Sequence, residues 1–277
     1  MLKFSDYILV TDLDDTLLTR DKRITEQDLN AVRYFVENGG SFTVATGRVY
    51  TSAKPYTTQL PINLPVVLYN GAVIYDEKSG KTLWKELICD EAVGYMNDIL
   101  QRFPHLGCEI VCDNEIFIRK ESKTLDEKIR LENIPFGYCD ENSLPKEIIK
   151  ILAVGETDEI SAALEEIKKL NYPKVDFLLS APYYLEMLPT GASKWVGIKN
   201  MTKILGIENK KIVCAGDFDN DIEMIKNADI GATVPNAPQR VKDIADIVLS
   251  KTSNEGAISE LIEYISKQED EANGRNT

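Results

Sequence analysis

The chain has 277 residues, 43% hydrophobic and 28% charged, with a formal net charge of -13. That length exceeds one ordinary core and suffices for two linked ones, and the composition is that of a soluble globular protein. The acidic balance argues against nucleic acid as a partner, and no apolar run is long enough to cross a bilayer, so no membrane role is expected.

A small anionic substrate stays open, because a local cation can reverse the field inside one cleft. The N-terminus "MLKFSDYILV" lacks a basic n-region, a long apolar stretch and a small-residue cleavage site, so no signal peptide is expected. The five cysteines are scattered and form no CxxC, which fits reduced thiols and a cytoplasmic location. No feature of the sequence sets an oligomeric state.

In chain order, "YILVTD" (7–12) is a short, β-branched apolar run and predicts a buried strand. "TEQDLNAVRYFVENGG" (25–40) predicts a helix, with Thr25 as cap, Leu29, Val32, Phe35 and Val36 on one face, and Gly39–Gly40 as the stop. "SFTVATG" (41–47) and "PVVLYNG" (65–71) predict further strands. Strand, helix and strand at this spacing form a βαβ unit and imply a parallel sheet.

From about Leu87 to Leu188 the pattern changes to helices among hairpin-like strands, at 109–120, 148–156, 174–180 and 183–189, with a helix at 160–170. Alternating apolar and polar positions predict antiparallel strands with one covered face. The βα rhythm returns with a helix at 192–206, strands at 211–217, 229–234 and 246–250, helices at 220–228, 238–245 and 255–267, and a polar, frayed tail. The expected organisation is an α/β core with a Rossmann-like parallel sheet, in segments 1–86 and 189–277, interrupted by an α+β insert at 87–188.

Ligands of open parallel sheets sit beyond the carboxyl ends of the strands, where strand order reverses. Here those ends carry Asp12 and Asp14; Thr46, Gly47 and Arg48; Asn70 and Gly71; and Asp217, Asn220 and Asp221. Any one of these aspartates fits an ordinary strand-end or capping role. Four polar strand ends together point to a site. Clustered aspartates without histidine or cysteine make a hard oxygen site suited to Mg2+. An aspartate beside such an ion can act as a nucleophile, and a hydroxyl, backbone N–H groups and a lysine can hold a phosphoryl group.

The segments "DLDDTLL", "ATGR", the Ser-Lys of "PTGASKWVGI" and "GDFDNDIEM", in that order, resemble the four motifs of the haloacid dehalogenase superfamily. "NGA" at 70–72 and the large insert between the second and third motifs resemble its Cof-type, type IIB sugar-phosphatase branch, in which the insert is a C2-type cap. The resemblance implies a Mg2+-dependent phosphatase acting on small phosphorylated metabolites such as sugar phosphates. It implies that Asp12 is the nucleophile and Asp14 the proton donor and acceptor. Thr46 and Lys194 would bind the phosphoryl group, with Gly47, Arg48, Asn70, Gly71 and Asn220 around it. The metal would be held by the Asp12 carboxylate, the Asp14 backbone carbonyl, Asp217 and Asp221. Segment 17–24 resembles a substrate-facing flap. Asp15 and Trp195 stand where the branch often has glycine.

Other readings remain open at this level. A sugar phosphomutase uses the same nucleophile. A signalling receiver also phosphorylates an aspartate, but keeps its acidic pair apart from the acceptor strand and carries no such insert. A non-catalytic phosphate-binding protein is the fourth. His105 reads as a surface residue, Cys108 and Cys112 lack partners for a zinc site, and Tyr183, Tyr184 and Trp84 fit either a cleft or packing.

Overall fold

A computed structural model describes residues 2–132, 135–272 and 274. Contacts divide the chain into two compact units, one of Met1–Thr46, Ala53–Leu83 and Ser193–Thr277, the other of Gly47–Ser52 and Trp84–Ala192.

In the first unit β1 (Tyr7–Thr11) is buried at every residue, as its unbroken apolar run requires. α1 (Glu26–Glu37) starts where the Thr25 hydroxyl accepts from the Asp28 N–H, and stops before Gly39. β2 (Ser41–Val44) follows. α2 (Tyr50–Thr57) has no counterpart in the sequence reading, because Pro55 lies inside it and argues against a helix. β3 (Val66–Leu68) leads through a 3-10 turn at Tyr69–Gly71 into β4 (Val73–Asp76) and β5 (Lys81–Lys85), a three-stranded sheet in that order. β3 also meets the end of β2 through a parallel bridge between Ala45 and Val67.

The second unit comprises α3 (Ala92–Arg102), β6 (Gly107–Val111), β7 (Ile116–Lys120), α4 (Lys123–Glu132), β8 (Gly137–Tyr138), β9 (Lys150–Val154), α5 (Thr157–Ile167), β10 (Val175–Ala181) and β11 (Tyr184–Pro189). Its six-stranded sheet runs β10-β11-β9-β6-β7-β8, antiparallel throughout except for β7 with β8. Cys108, Ile110, Ile151, Ala153, Leu185 and Met187 turn to one face and form a core with Met96 and Ile99 of α3 and Ile160 and Ala163 of α5. The expectation of a single covered face needs correction. The alternate residues Glu109, Lys150 and Glu186 are also buried, at 7%, 4% and 2% exposure. They remain charged-residue positions because they are partnered: Lys150 Nζ donates to Glu186 Oε2 at 2.8 Å and to the Gly47 carbonyl at 2.8 Å.

The first unit resumes with α6 (Lys194–Leu205), capped by the Ser193 side chain and ended by Gly206 at φ +66°. β12 (Lys211–Gly216), a 3-10 turn at Asp219–Asp221, α7 (Ile222–Asn227), β13 (Ile230–Thr233), α8 (Gln239–Lys242), β14 (Ile247–Val248) and α9 (Ala257–Ala272) complete it. α9 runs past the predicted end at 267, since Lys3 pairs with Asp270 at 2.7 Å and the Tyr7 hydroxyl donates to Glu269 at 2.7 Å; the rest of the predicted frayed tail, except residue 274, lies outside the described residues.

The five-stranded sheet runs β14-β13-β12-β1-β2 and is parallel throughout. Leu9, Phe42 and Val213 are fully buried in it, each contributing about 1.5–3 kcal/mol. The chain leaves β1 toward β2 on one side and returns at β12 on the other, so strand order reverses at β1. Among the described residues no helix is long and apolar enough to cross a membrane.

Candidate active site

Asp12 follows β1, and its N–H continues the ladder to the Ala215 carbonyl at 2.8 Å. Asp217 follows the neighbouring β12, so adjacent parallel strands deliver the two carboxylates to one edge. Lys194 is the first residue of α6 and only 1% exposed. Its ammonium donates to Asp12 Oδ1 at 2.7 Å and to Asp221 Oδ1 at 2.6 Å. The other Asp221 oxygen accepts from the N–H groups of Asp217 and Phe218 at 2.9 and 3.1 Å, which closes the loop after β12. Gly216 permits that loop, because a Cβ there would lie 2.4 Å from the Asp221 carboxyl carbon. Thr16, fully buried, donates to Asp217 Oδ1 at 3.2 Å.

Carboxylate oxygens of Asp12, Asp217 and Asp221 lie within 4.8 Å of one another. One lysine stands among two buried acids and the half-buried Asp217, and the electrostatics reflect the imbalance. Burial pushes the Asp12 carboxyl up to about 7; Lys194 pulls it down, while Asp221 and Asp14 add to the rise. Burial, then Asp221 and Asp12, holds Asp217 well above the usual carboxylate range. Burial lowers the Lys194 ammonium's pKa, but Asp12 and Asp221 outweigh it and hold it above its ordinary value. An oxygen-only donor set carrying excess negative charge fits a hard divalent cation.

The loop after β3 is built from three successive left-handed residues, Tyr69, Asn70 and Gly71, at φ +52°, +53° and +97°. Gly71 is obligatory, since a Cβ would fall 1.8 Å from the Ser193 carbonyl oxygen, next to Lys194. The Asn70 N–H donates to the Thr46 carbonyl at 3.0 Å, and its side-chain oxygen accepts from Asn220 at 3.0 Å. Thr46 and Asn70 are both buried.

The structure thus brings Asp12, Lys194, Asp217 and Asp221 into one cluster and links Thr46, Asn70 and Asn220 to one another. Asp14 is not one of the three grouped acids, although its charge acts on Asp12; its Oδ1 accepts from Lys22 at 2.6 Å. Gly47 and Arg48 belong to the second unit, where the Arg48 guanidinium donates to the Ser52 hydroxyl at 2.6 Å. Sequence reasoning missed Thr16, Lys22, Lys150 and Glu186. Thr16 sits inside the "DLDDTLL" segment and Lys22 inside segment 17–24, so both were within reach; Lys150 and Glu186 carry no spacing that marks them. Asp15 adopts φ +56°, a conformation that suits glycine. Trp195 is half-buried, with the Lys199 ammonium 5.7 Å from its ring centre. His105 is exposed, and Cys108 and Cys112 are buried free thiols.

Residues 9–262 match the haloacid dehalogenase-like hydrolase family. Among curated relatives, the chain is 27% identical over 267 residues to 5-amino-6-(5-phospho-D-ribitylamino)uracil phosphatase YitU of Bacillus subtilis, covering 94% of this chain and 98% of that protein. Among solved structures, a haloacid dehalogenase-like hydrolase from Bacteroides thetaiotaomicron superposes with a TM-score of 0.79 at 25% identity, over 93% of this chain and 98% of that one. The subclass IIB sugar phosphatase BT4131 shares the fold, with a TM-score of 0.79 at 21% identity over 93% and 98% of the two chains.

Proposed function

The chain belongs to the haloacid dehalogenase-like hydrolases, and on that premise we propose that it is a Mg2+-dependent phosphatase of small phosphate monoesters, sugar phosphates among them, working through an aspartyl-phosphate on Asp12. The observation that carries this reading is the buried Lys194 bridging Asp12 and Asp221 beside Asp217, at the point where strand order reverses.

An Asp12 carboxylate oxygen attacks phosphorus, and the bond from phosphorus to the ester oxygen breaks. Asp14 gives its proton to the departing oxygen. Water then attacks the phosphorus of the aspartyl-phosphate, passes a proton to Asp14 and releases inorganic phosphate with Asp12 restored. Lys194 and Thr46 bind the phosphoryl oxygens, and Lys194 holds Asp12 in place. Asn70, Gly71 and Asn220 belong to loops of the same unit, two of them tied together by the hydrogen bond between Asn70 and Asn220, and the family resemblance would add Gly47 and Arg48 as phosphate contacts. Asp12, the Asp14 carbonyl and Asp217 would hold the Mg2+, with Asp221 orienting the loop that carries Asp217. When bound, the ion supplies positive charge for the equatorial phosphoryl oxygens.

The insert takes the part of a cap that selects the leaving group, as its size and position imply. The substrate named for YitU carries its phosphate on a ribityl chain, which supports a phosphorylated sugar or polyol as the substrate class. A cytoplasmic location belongs to the same reading, supported by five free cysteines.

The test is phosphate release from a panel of small esters with and without Mg2+, for the wild type and Asp12→Asn. Mg2+-dependent release without an added acceptor, lost in Asp12→Asn by at least about 1,000-fold, is expected. Undiminished turnover by Asp12→Asn would sink the mechanism, and release only with an added sugar acceptor would favour a transferase.

A further inference from the structure

Lys22 is the residue that the reading above leaves without a task. The segment from Asp14 to Ile24 folds back on itself: Leu18 bridges both Asp14 and Ile24, the Thr19 N–H donates to the Arg23 carbonyl at 2.8 Å, and the Lys22 N–H donates to the Thr19 carbonyl at 2.8 Å. Lys22 sits in this turn at φ +54°, a left-handed backbone that glycine or asparagine adopts more easily. The turn carries three cationic residues with different fates. Arg23 pairs with Asp21, both side chains 77% exposed. Arg20 contributes its backbone N–H to Asn254. Lys22 donates to Asp14 Oδ1 at 2.6 Å, with 43% and 33% of the two side chains exposed.

Stability does not account for this arrangement. An ion pair so accessible to water contributes little to folding, and a lysine in left-handed backbone is a cost rather than a gain. The arrangement fits a geometric task. Pinning one oxygen fixes the plane of the Asp14 carboxylate, and with it the direction along which a proton travels.

We propose that Lys22 is a positioning residue for Asp14, holding its carboxylate in the orientation needed to protonate the leaving oxygen. The proposal rests on the phosphatase reading, and its test separates the two. An alkoxide needs a proton in order to leave, whereas 4-nitrophenolate does not. The value of kcat/KM reports only the steps up to loss of the leaving group, so it isolates that demand. A residue that merely supports the fold lowers both substrates alike.

The measurement is kcat/KM for a sugar phosphate from the release panel and for 4-nitrophenyl phosphate, in the wild type, Lys22→Met and Lys22→Arg, with Mg2+ present. Lys22→Met is expected to lose about tenfold or more on the sugar phosphate and under about threefold on the aryl ester, with Lys22→Arg recovering part of the sugar-phosphate loss. An unchanged thermal midpoint accompanies this result, because the pair is exposed. Equal losses on both esters, or no loss on either, overturn the positioning role. Wild-type protein that releases phosphate from neither ester ends the phosphatase reading first, and the proposal with it.

Discussion

The Lys194 ammonium donates to Asp12 Oδ1 at 2.7 Å, and the two side chains are 1% and 9% exposed. Removing one partner of a buried pair leaves the other charge without compensation, which costs more than the pair contributes. Lys194→Met strands two acids, since Asp221 is bound to the same ammonium. It is expected to abolish phosphate release and to lower stability by about 3–5 kcal/mol without added divalent ion. Urea denaturation checks the second point. A midpoint equal to the wild type would mean that the acids are compensated by something other than Lys194.

The same cluster makes a prediction about metal that does not depend on turnover. An ion that binds only the folded chain raises its stability by about 2.7 kcal/mol at a hundred times the dissociation constant. Mg2+ is therefore expected to raise the thermal midpoint of the wild type saturably, with EDTA reversing it. Asp217→Asn removes one of the three clustered oxygen donors and one half-buried carboxyl whose protonation desolvation already favours. The variant is expected to be no less stable than wild type in EDTA and to lose most of the Mg2+ response. A full response in Asp217→Asn would exclude Asp217 as a ligand.

The elements that deliver this cluster were legible because each has a local signature. An unbroken apolar run marks β1 and β12, Gly206 marks the end of α6, and the polar residues follow directly at the strand ends. Contacts between distant segments have no such signature. Lys150 and Glu186 lie 36 residues apart and look like the solvated half of alternating strands, yet they pair in a buried sheet face. Lys22 looks like one charge among several in "TRDKR" until its left-handed backbone turns it toward Asp14. α2 is masked by Pro55, and the loop at Tyr69–Gly71 depends on three consecutive positive φ angles that composition does not announce.

Asp15 shows why a departure from a family pattern can be harmless. Its φ of +56° is one that glycine adopts without cost, and its carbonyl accepts from Asn236 at 3.4 Å, a bond that glycine keeps. Its carboxylate adds to the charge that raises Asp217. Asp15→Gly relieves both the backbone and the charge but makes the unfolded chain more flexible. Stability is expected to stay within about 1 kcal/mol and kcat/KM to change little, whereas Asp15→Val should cost about 1–3 kcal/mol because a β-branched residue resists this backbone. Near-complete loss of activity in Asp15→Gly would show that Asp15 shares the work assigned to Asp12 and Asp14.

Asp28 supplies a pH dependence outside the site. It is fully buried where α1 meets α9, accepting from the Ser259 N–H at 2.7 Å and from the Thr25 hydroxyl at 3.0 Å. The N-terminal amides of α9 favour the ionised carboxylate, but burial outweighs them and raises the pKa from 3.8 to about 6. Between those values the folded chain keeps a proton that the unfolded chain has released. This contribution to stability is therefore complete below about pH 4 and is lost as pH rises through about 6. Asparagine imitates the protonated form, since its oxygen can accept from Ser259 and its amide can donate to the Thr25 hydroxyl. Asp28→Asn should match the wild type near pH 4 and exceed it by on the order of 3 kcal/mol at pH 7.5. Denaturation of both proteins at the two pH values reads the difference directly, because every other titrating group is shared. If the wild type instead gains on Asp28→Asn as pH rises, then the α9 amides, and not burial, set the charge state of Asp28.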